Sequence, residues 1–297
     1  MDWSAFLQAL PGAVGNGLIW GVMAIGVFIT FRILDVADLT VDGSICTGGA
    51  VCIVMMTKGY NVWIALIFAT IAGLLTGLLT GIFHTFMGIP AILAGILTQL
   101  SLYSINLKIM GKPNLSISVD KYDLLVSLRY VKDVAIHKNA MLVASIVLLV
   151  IVVILYWFFG TELGCSIRAT GCNPNMSRAQ GINTNLNKII GLMLSNGLVA
   201  LSGALLAQYQ GYADISMGRG AIVIGLAAII IGEAIFSKIF HNFALRLIGI
   251  GLGSVVYFVV LQFVISAGMD ADLLKLLQAL VVAVFLAIPY WKKKLLR

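Results

Sequence analysis

Long apolar runs separated by short polar stretches give this chain its pattern, and they fall near 11–31, 43–57, 62–83, 89–107, 140–159, 189–208, 220–236, 244–266 and 273–290. Most approach or exceed the roughly 17 to 25 apolar residues that a helix needs to cross a bilayer. The pattern predicts an all-α polytopic membrane protein, a single domain over 1–297 with about nine transmembrane helices (8–10), some of them short and broken. The runs 43–57 and 220–236 are the short ones. Each follows a similar tetrapeptide that leads to glycine, Asp38-Leu39-Thr40-Val41 in the first half and Asp214-Ile215-Ser216-Met217 in the second. Short, glycine-interrupted segments in corresponding places point to a transport pathway built from an inverted repeat, which sets the two tetrapeptides toward opposite membrane faces.

The polar stretch 161–188, TELGCSIRATGCNPNMSRAQGINTNLNK, carries helix punctuation of its own. Asn173 is a good N-cap, Pro174 suits the first helical position, and Gly181 is placed to end the helix in a left-handed conformation. The implied helix has about two turns. So short a helix is marginal in water, so a partner surface over Met176 and Ala179 would hold it; the plainer reading is a capped loop.

Composition fixes the environment. Of 297 residues, 61% are hydrophobic and 10% charged, and the mean hydropathy is +1.05; a soluble domain carries about 25% charged residues. The formal charge of +7 is spread through loops, with one cluster at Lys292, Lys293 and Lys294. That suits contact with anionic membrane lipid and gives no footprint for nucleic acid. Cys46, Cys52, Cys165 and Cys172 make no CxxC pair, so no metal site is expected and they read as small core or loop residues. The first ten residues hold an acid and no base, unlike the start of a cleaved signal peptide, and the first apolar run is expected to stay as a span.

With 161–188 inside, ten basic residues lie on the cytoplasmic side and nine outside. Much of the outer set (Lys112, Lys121, Arg129, Lys132, Lys138) sits in an extracytoplasmic loop at 111–139. The tail WKKKLLR, with Tyr290 and Trp291 at the interface, puts the C-terminus in the cytoplasm and, for nine crossings, the N-terminus outside.

Asp35, Asp38 and Asp42 precede a helix start rich in Gly43, Ser44, Gly48 and Gly49, where backbone N–H groups and side-chain oxygens can meet a polar solute. The alternative is that Asp42 caps a helix and the other aspartates sit in a solvated turn. Glu233 follows GLAAIIIG, and either lines a pathway or snorkels toward Lys238. His84 and His137 are isolated and read as interfacial. Gly73, Gly77 and Gly81, and Gly249, Gly251 and Gly253, allow close helix packing. Catalytic signatures are missing: there is no GxSxG, HExxH or GxxxxGK(S/T). An energy-coupled transporter would need its ATPase on another polypeptide.

At TELGCSIRATGCNPNMSRAQGIN and the later LSGALLAQYQG, the chain resembles the coupling segment of permease subunits of bacterial ABC importers, in the branched-chain amino acid and ribose permease superfamily. FRILDVADLTVDGS, GIPAILAGILTQLSLYSINLKIMGKPN and YADISMGRGAIVIGLAAIIIGE resemble the branch associated with tryptophan or tyrosine uptake. The resemblance covers most of the chain and implies a type II importer-like fold in the bacterial plasma membrane. It also implies a second permease copy, two cytoplasmic ABC ATPase subunits that bind ATP, an extracytoplasmic substrate-binding protein, and no cofactor or catalytic residue in this chain. By position, Arg168, Gly171, Asn173, Pro174, Arg178, Gly181 and Ile182 belong to the cytoplasmic coupling loop. Asp38, Thr40, Asp42, Gly43, Ser44, Asp214, Ser216 and Gly220 lie near the translocation path. Cys165 and Cys172 depart from the usual coupling segment. The implied activity is alternating access for a small polar solute, an aromatic or branched-chain amino acid, with a sugar or nucleoside as the other substrate class. A secondary transporter or channel acting without an ATPase is the rival reading, and an intramembrane enzyme lacks a catalytic pair.

Overall fold

The computed structural model describes residues 3–117, 122, 124–127, 139–236 and 242–267, with scattered positions from 273 to 287. The predicted run at 273–290, His137, Lys238 and the basic tail lie wholly or largely outside the described residues.

The chain is mostly helical. In order come α1 (Trp3–Phe28), which widens into a π-helical turn (Ile29–Ile33), α2 (Val41–Thr57), α3 (Val62–Thr85), α4 (Ala91–Met110) and β1 (Asn114–Ser116). Then follow α5 (Ala140–Gly160), α6 (Glu162–Cys172), α7 (Pro174–Ala179), α8 (Thr184–Gln210), β2 (Tyr212–Asp214), α9 (Ala221–Phe236) and α10 (Phe243–Ser266). Among the described residues, six helices are long and apolar enough to cross a membrane: α1 with its π turn, α3, α4, α5, α8 and α10. The short runs are α2 and α9. Helix α1 begins before the predicted span and carries Pro11 inside it, where a missing N–H is tolerated because neighbouring helices can satisfy the freed carbonyl.

Helices α1 and α8 form the centre. Their apolar stretches are 83% and 72% buried, against about a third for α3, α4 and α5, whose exposed Ile67, Phe68, Ile146, Val153 and Trp157 suit a lipid-facing surface. Three hydroxyls tie the central pair together in antiparallel register: Ser195 donates to Gly26 O (2.7 Å), Ser202 to Ile19 O (2.8 Å) and Tyr209 to Gly12 O (2.9 Å). Each central helix then takes one antiparallel neighbour. Gly73, Gly77 and Gly81 bring α3 against the α8 backbone, as the glycine spacing anticipated, while Gly17 and Gly21 bring α1 against α10. The outcome is the same motif run in opposite senses: long helix, extended return, short helix, long helix (α1 to α3, and α8 to α10).

One end of the molecule gathers the π turn, α6, α7, the start of α8 and the end of α9; the other gathers the end of α4 and the β1–β2 pair. At the second end β1 pairs antiparallel with β2, Asn114 opposite Asp214 and Ser116 opposite Tyr212. Residues of the 111–139 stretch pack on the end of α8, where Ile117 N–H donates to Gly211 O (2.9 Å) and Leu125 N–H to Gln208 Oε1 (3.1 Å). Strands of three residues are too short for alternation to reveal, so the all-helical expectation missed them.

Candidate functional site

Two extended returns lead the chain back into the bundle before each short helix starts. After the π turn, Leu34 N–H donates to Ile29 O (3.0 Å) and Val36 N–H to Thr30 O (2.9 Å), which ends α1. Asp35 then takes φ +55°, a left-handed conformation that aspartate tolerates. The two matching tetrapeptides form the same local turn. Asp38 Oδ1 accepts from Thr40 N–H at 2.9 Å and Asp214 Oδ1 from Ser216 N–H at 2.7 Å, and the Ser216 hydroxyl bonds the same oxygen.

Behind the first turn lies a buried polar network. Asp38 Oδ2 accepts from Asn196 Nδ2 (2.7 Å), the Ser44 hydroxyl donates to Asn196 Oδ1 (2.6 Å) and bonds Thr76 (2.7 Å), and Thr80 bridges Thr40 (2.7 Å) and Thr98 (3.0 Å). Asp38 is 3% exposed. Its partners, Thr40 N–H and Asn196, are neutral, so the network serves to hold the return against α3, α4 and α8, because a buried carboxylate must have its oxygens bonded.

The short helices meet N-terminus to N-terminus. Asp42, in the first turn of α2, accepts from Gly220 N–H at Oδ2 (3.0 Å) and from Ile222 N–H at Oδ1 (3.1 Å). One carboxylate therefore caps α9 while sitting in α2, and its charge faces the positive ends of both helices. Cys46 continues the junction: its Sγ accepts from Gly218 N–H at 3.2 Å and lies 3.4 Å from the carbonyls of Asp42 and Ile215. Glycine is required at 218, since a Cβ there would lie 1.9 Å from Asp42 O.

Beside this junction opens a cavity of about 250 Å³, lined by Asp42, Gly43, Cys46, Gln99, Tyr103, Asn106 and Arg219 among others. Of the predicted path residues, the structure places Asp42 and Gly43 on the cavity, Thr40, Ser44 and Asp38 in the network behind it, and Asp214, Ser216 and Gly220 in the second return. Sequence reasoning missed Gln99, Tyr103, Asn106 and Arg219. A signal existed in α4, where 99, 103 and 106 fall at i, i+4 and i+7 and so make one polar stripe along an apolar span.

The polar stretch 161–188 holds two helices, one more than its punctuation suggested. Thr161 caps α6 through Gly164 N–H (3.3 Å), and Gly164 and Gly171, poor helix formers, are the points of closest packing. At Gly171 a Cβ would meet Ile33 O at 1.8 Å. The polar stretch is thereby set directly on the end of α1, next to the first return. Helix α7 has the predicted caps: Asn173 Oδ1 accepts from Asn175 N–H (3.2 Å) and Met176 N–H (3.1 Å), Pro174 opens the helix, and Gly181 takes φ +82°. Ile182 N–H donates back to Ser177 O (3.0 Å). Arg178 Nε donates to Thr184 Oγ1 (2.8 Å), and the Arg168 guanidinium lies 5.6 Å from the centre of the Phe243 ring. Of α7 only Ser177 is buried, and Met176 is 58% exposed.

On the same end, Glu233 of α9 bonds Arg32 (2.6 Å) and Arg246 (3.3 Å), and Arg246 also lies over Phe28. Among the described residues its partners come from the π turn after α1 and from α10; Lys238, toward which the sequence reading let it snorkel, lies outside the described residues. His84 closes α3: Nδ1 donates to Ile89 O (2.9 Å) if Nε2 accepts from Lys188 Nζ (3.3 Å). Cys46 and Cys52 are buried, Cys165 and Cys172 exposed, and all are free thiols.

Residues 12–288 match the family described as branched-chain amino acid transport system, permease component. A tyrosine transport system permease protein of Clostridioides difficile is 39% identical over 281 residues, 95% of this chain and 91% of that one. An uncharacterised protein of Rickettsia prowazekii is 36% identical over 95% of this chain and 98% of its own length. A fructose import permease protein of Bifidobacterium longum is 24% identical over 83% of this chain and 68% of its own. Among solved structures, PsaBC from Streptococcus pneumoniae in complex with Fab aligns with 87% of this chain and 91% of that one at 18% identity, with a TM-score of 0.39 too low to build on.

Proposed function

The chain belongs to the family of branched-chain amino acid transport permease components and is a multi-pass inner-membrane permease of the ABC type; on that premise we propose that it imports an α-amino acid, driven by ATPase subunits that dock on α7. The amino-acid substrate is supported by the 39% identity to a tyrosine permease, set against 24% to a fructose permease. The observation that carries the reading is the exposed, doubly capped α7, joined through α6 and Gly171 to Ile33, where α1 gives way to the return that precedes α2.

In this scheme the polar stretch 161–188 faces the cytoplasm, the β1–β2 end faces outward, and 1–297 is a single permease domain. Two copies pair around the path in a type II-like arrangement. Motor closure pushes α7; rigid contact at Gly171 transmits the push to α1 and its return; the α2–α9 junction then shifts between outward and inward access. Selection rests largely with an extracytoplasmic binding protein. ATP is bound by the partner subunits.

Co-purification with a candidate ATPase tests the docking. Met176→Glu alters an exposed side chain, and the pair Arg178→Glu with Pro174→Gly alters the capped helix; each is expected to weaken ATPase association at least about tenfold, a difference of ~1.4 kcal/mol. Assembly and coupled ATP hydrolysis unchanged in both would refute docking at α7.

A further inference from the structure

The cavity beside the α2–α9 junction has features that coupling to a motor does not require. Arg219 stands exposed on its wall, and Asp42 lines it with a carboxylate that accepts from Gly220 N–H at one oxygen and from Ile222 N–H at the other. A carboxylate offers about four lone-pair sites, so acceptor capacity remains on Asp42. Further along α4, Asn106 is 1% exposed, and its Oδ1 has no hydrogen-bond partner among the described residues. An unsatisfied buried acceptor is destabilising, and a donor supplied by a ligand removes that cost. Tyr103, Ile96 and Leu100 complete the wall with apolar surface.

We propose that this cavity is a subsite for a zwitterionic α-amino acid, its carboxylate on Arg219, its ammonium on Asp42, and Asn106 Oδ1 accepting a further N–H or O–H. The inference rests on the import reading above and gives it a place. A guanidinium fork matches a carboxylate in two parallel bonds, and a volume of about 250 Å³ lies just under the range of roughly 300–1,000 Å³ usual for drug-sized ligands. That suits a single amino acid. A neutral sugar would leave both charges unanswered. Because Asp42 also caps α9, an ammonium drawn to it competes with Gly220 and Ile222 N–H, so occupancy of the subsite bears directly on the N-terminus of α9.

The test uses the full-length permease in lipid nanodiscs, with Cys165→Ser and Cys172→Ser to remove exposed thiols and Leu100→Cys as a reporter on the cavity wall. The rate of maleimide labelling is measured with millimolar L-tyrosine, L-leucine, tyramine, 3-(4-hydroxyphenyl)propionate or ribose. Both amino acids are expected to slow labelling several-fold, and tyramine, the propionate and ribose to leave it unchanged, since each lacks one or both charges. Arg219→Gln and Asn106→Leu, each checked for unchanged elution on size exclusion, are expected to remove the protection. The subsite is refuted by a lack of protection from both amino acids, by equal protection from any of the other three compounds, or by protection that survives both substitutions. The assay contains no ATPase. Motor association unchanged in the α7 variants, with protection intact, therefore counts against α7 docking alone, and absent protection with association weakened in those variants counts against the subsite alone.

Discussion

Asp42 belongs to one helix and terminates another, and that double duty makes it the most consequential side chain in the bundle. Asp42→Ala leaves Gly220 and Ile222 N–H without their acceptor; loss of a cap costs about 0.5–2 kcal/mol, so a lower melting temperature in detergent is expected, with Asp42→Asn closer to wild type because an amide oxygen still accepts. An unchanged melting temperature for the alanine variant would show that water replaces the cap. The sequence allowed Asp42 as a cap for its own helix, whereas its partners lie in a second return far along the chain. Asn173 was fully legible, because its cap, its proline and its closing glycine are neighbours in sequence. Glu233 was visible as an oddity, but its partners Arg32 and Arg246 come together only when α1, α9 and α10 pack. The ion cluster is half exposed at both arginines, so Glu233→Gln is expected to change stability by less than about 1 kcal/mol. Its effect belongs in function: basal ATP hydrolysis in the assembled transporter should rise if the cluster holds the inner end of α9 closed, and no change would assign it to packing alone.

Among the elements, eight of the nine apolar runs are helices among the described residues, and the two short ones were marked by length and by their tetrapeptides. What escaped notice was what short polar or glycine-bearing stretches do: α6 reads poorly as a helix because Gly164 and Gly171 lower its propensity, yet those glycines are what let it lie against α5 and the π turn. The polar stripe of α4 was hidden among Leu and Ile until its periodicity met the cavity. At Gly171 the close contact with Ile33 O gives a sharp expectation. Gly171→Val forces α6 away from the end of α1, so ATPase association should persist while amino-acid uptake by the reconstituted transporter falls about tenfold or more, equivalent to ~1.4 kcal/mol of coupling. Loss of both together would place Gly171 in assembly and not in transmission.

For the whole molecule, the inverted pattern of α1 to α3 and α8 to α10 turns two unremarkable tetrapeptides into corresponding turns, Asp38 beside Asn196 toward one end and Asp214 beside Asn114 toward the other. The expected count of nine becomes, among the described residues, six long helices with α2 and α9 as partial spans whose N-termini meet inside. Sidedness is the property on which import depends, because α7 must face the motor while the β1–β2 end receives substrate. It is tested most directly by Met176→Cys in a chain with Cys165→Ser and Cys172→Ser, exposed to a membrane-impermeant maleimide in right-side-out and inverted vesicles, with and without bound ATPase. Labelling only in inverted vesicles, blocked when the ATPase is bound, is the expected result; labelling in right-side-out vesicles, or labelling that the ATPase leaves untouched, would contradict the coupling role of α7.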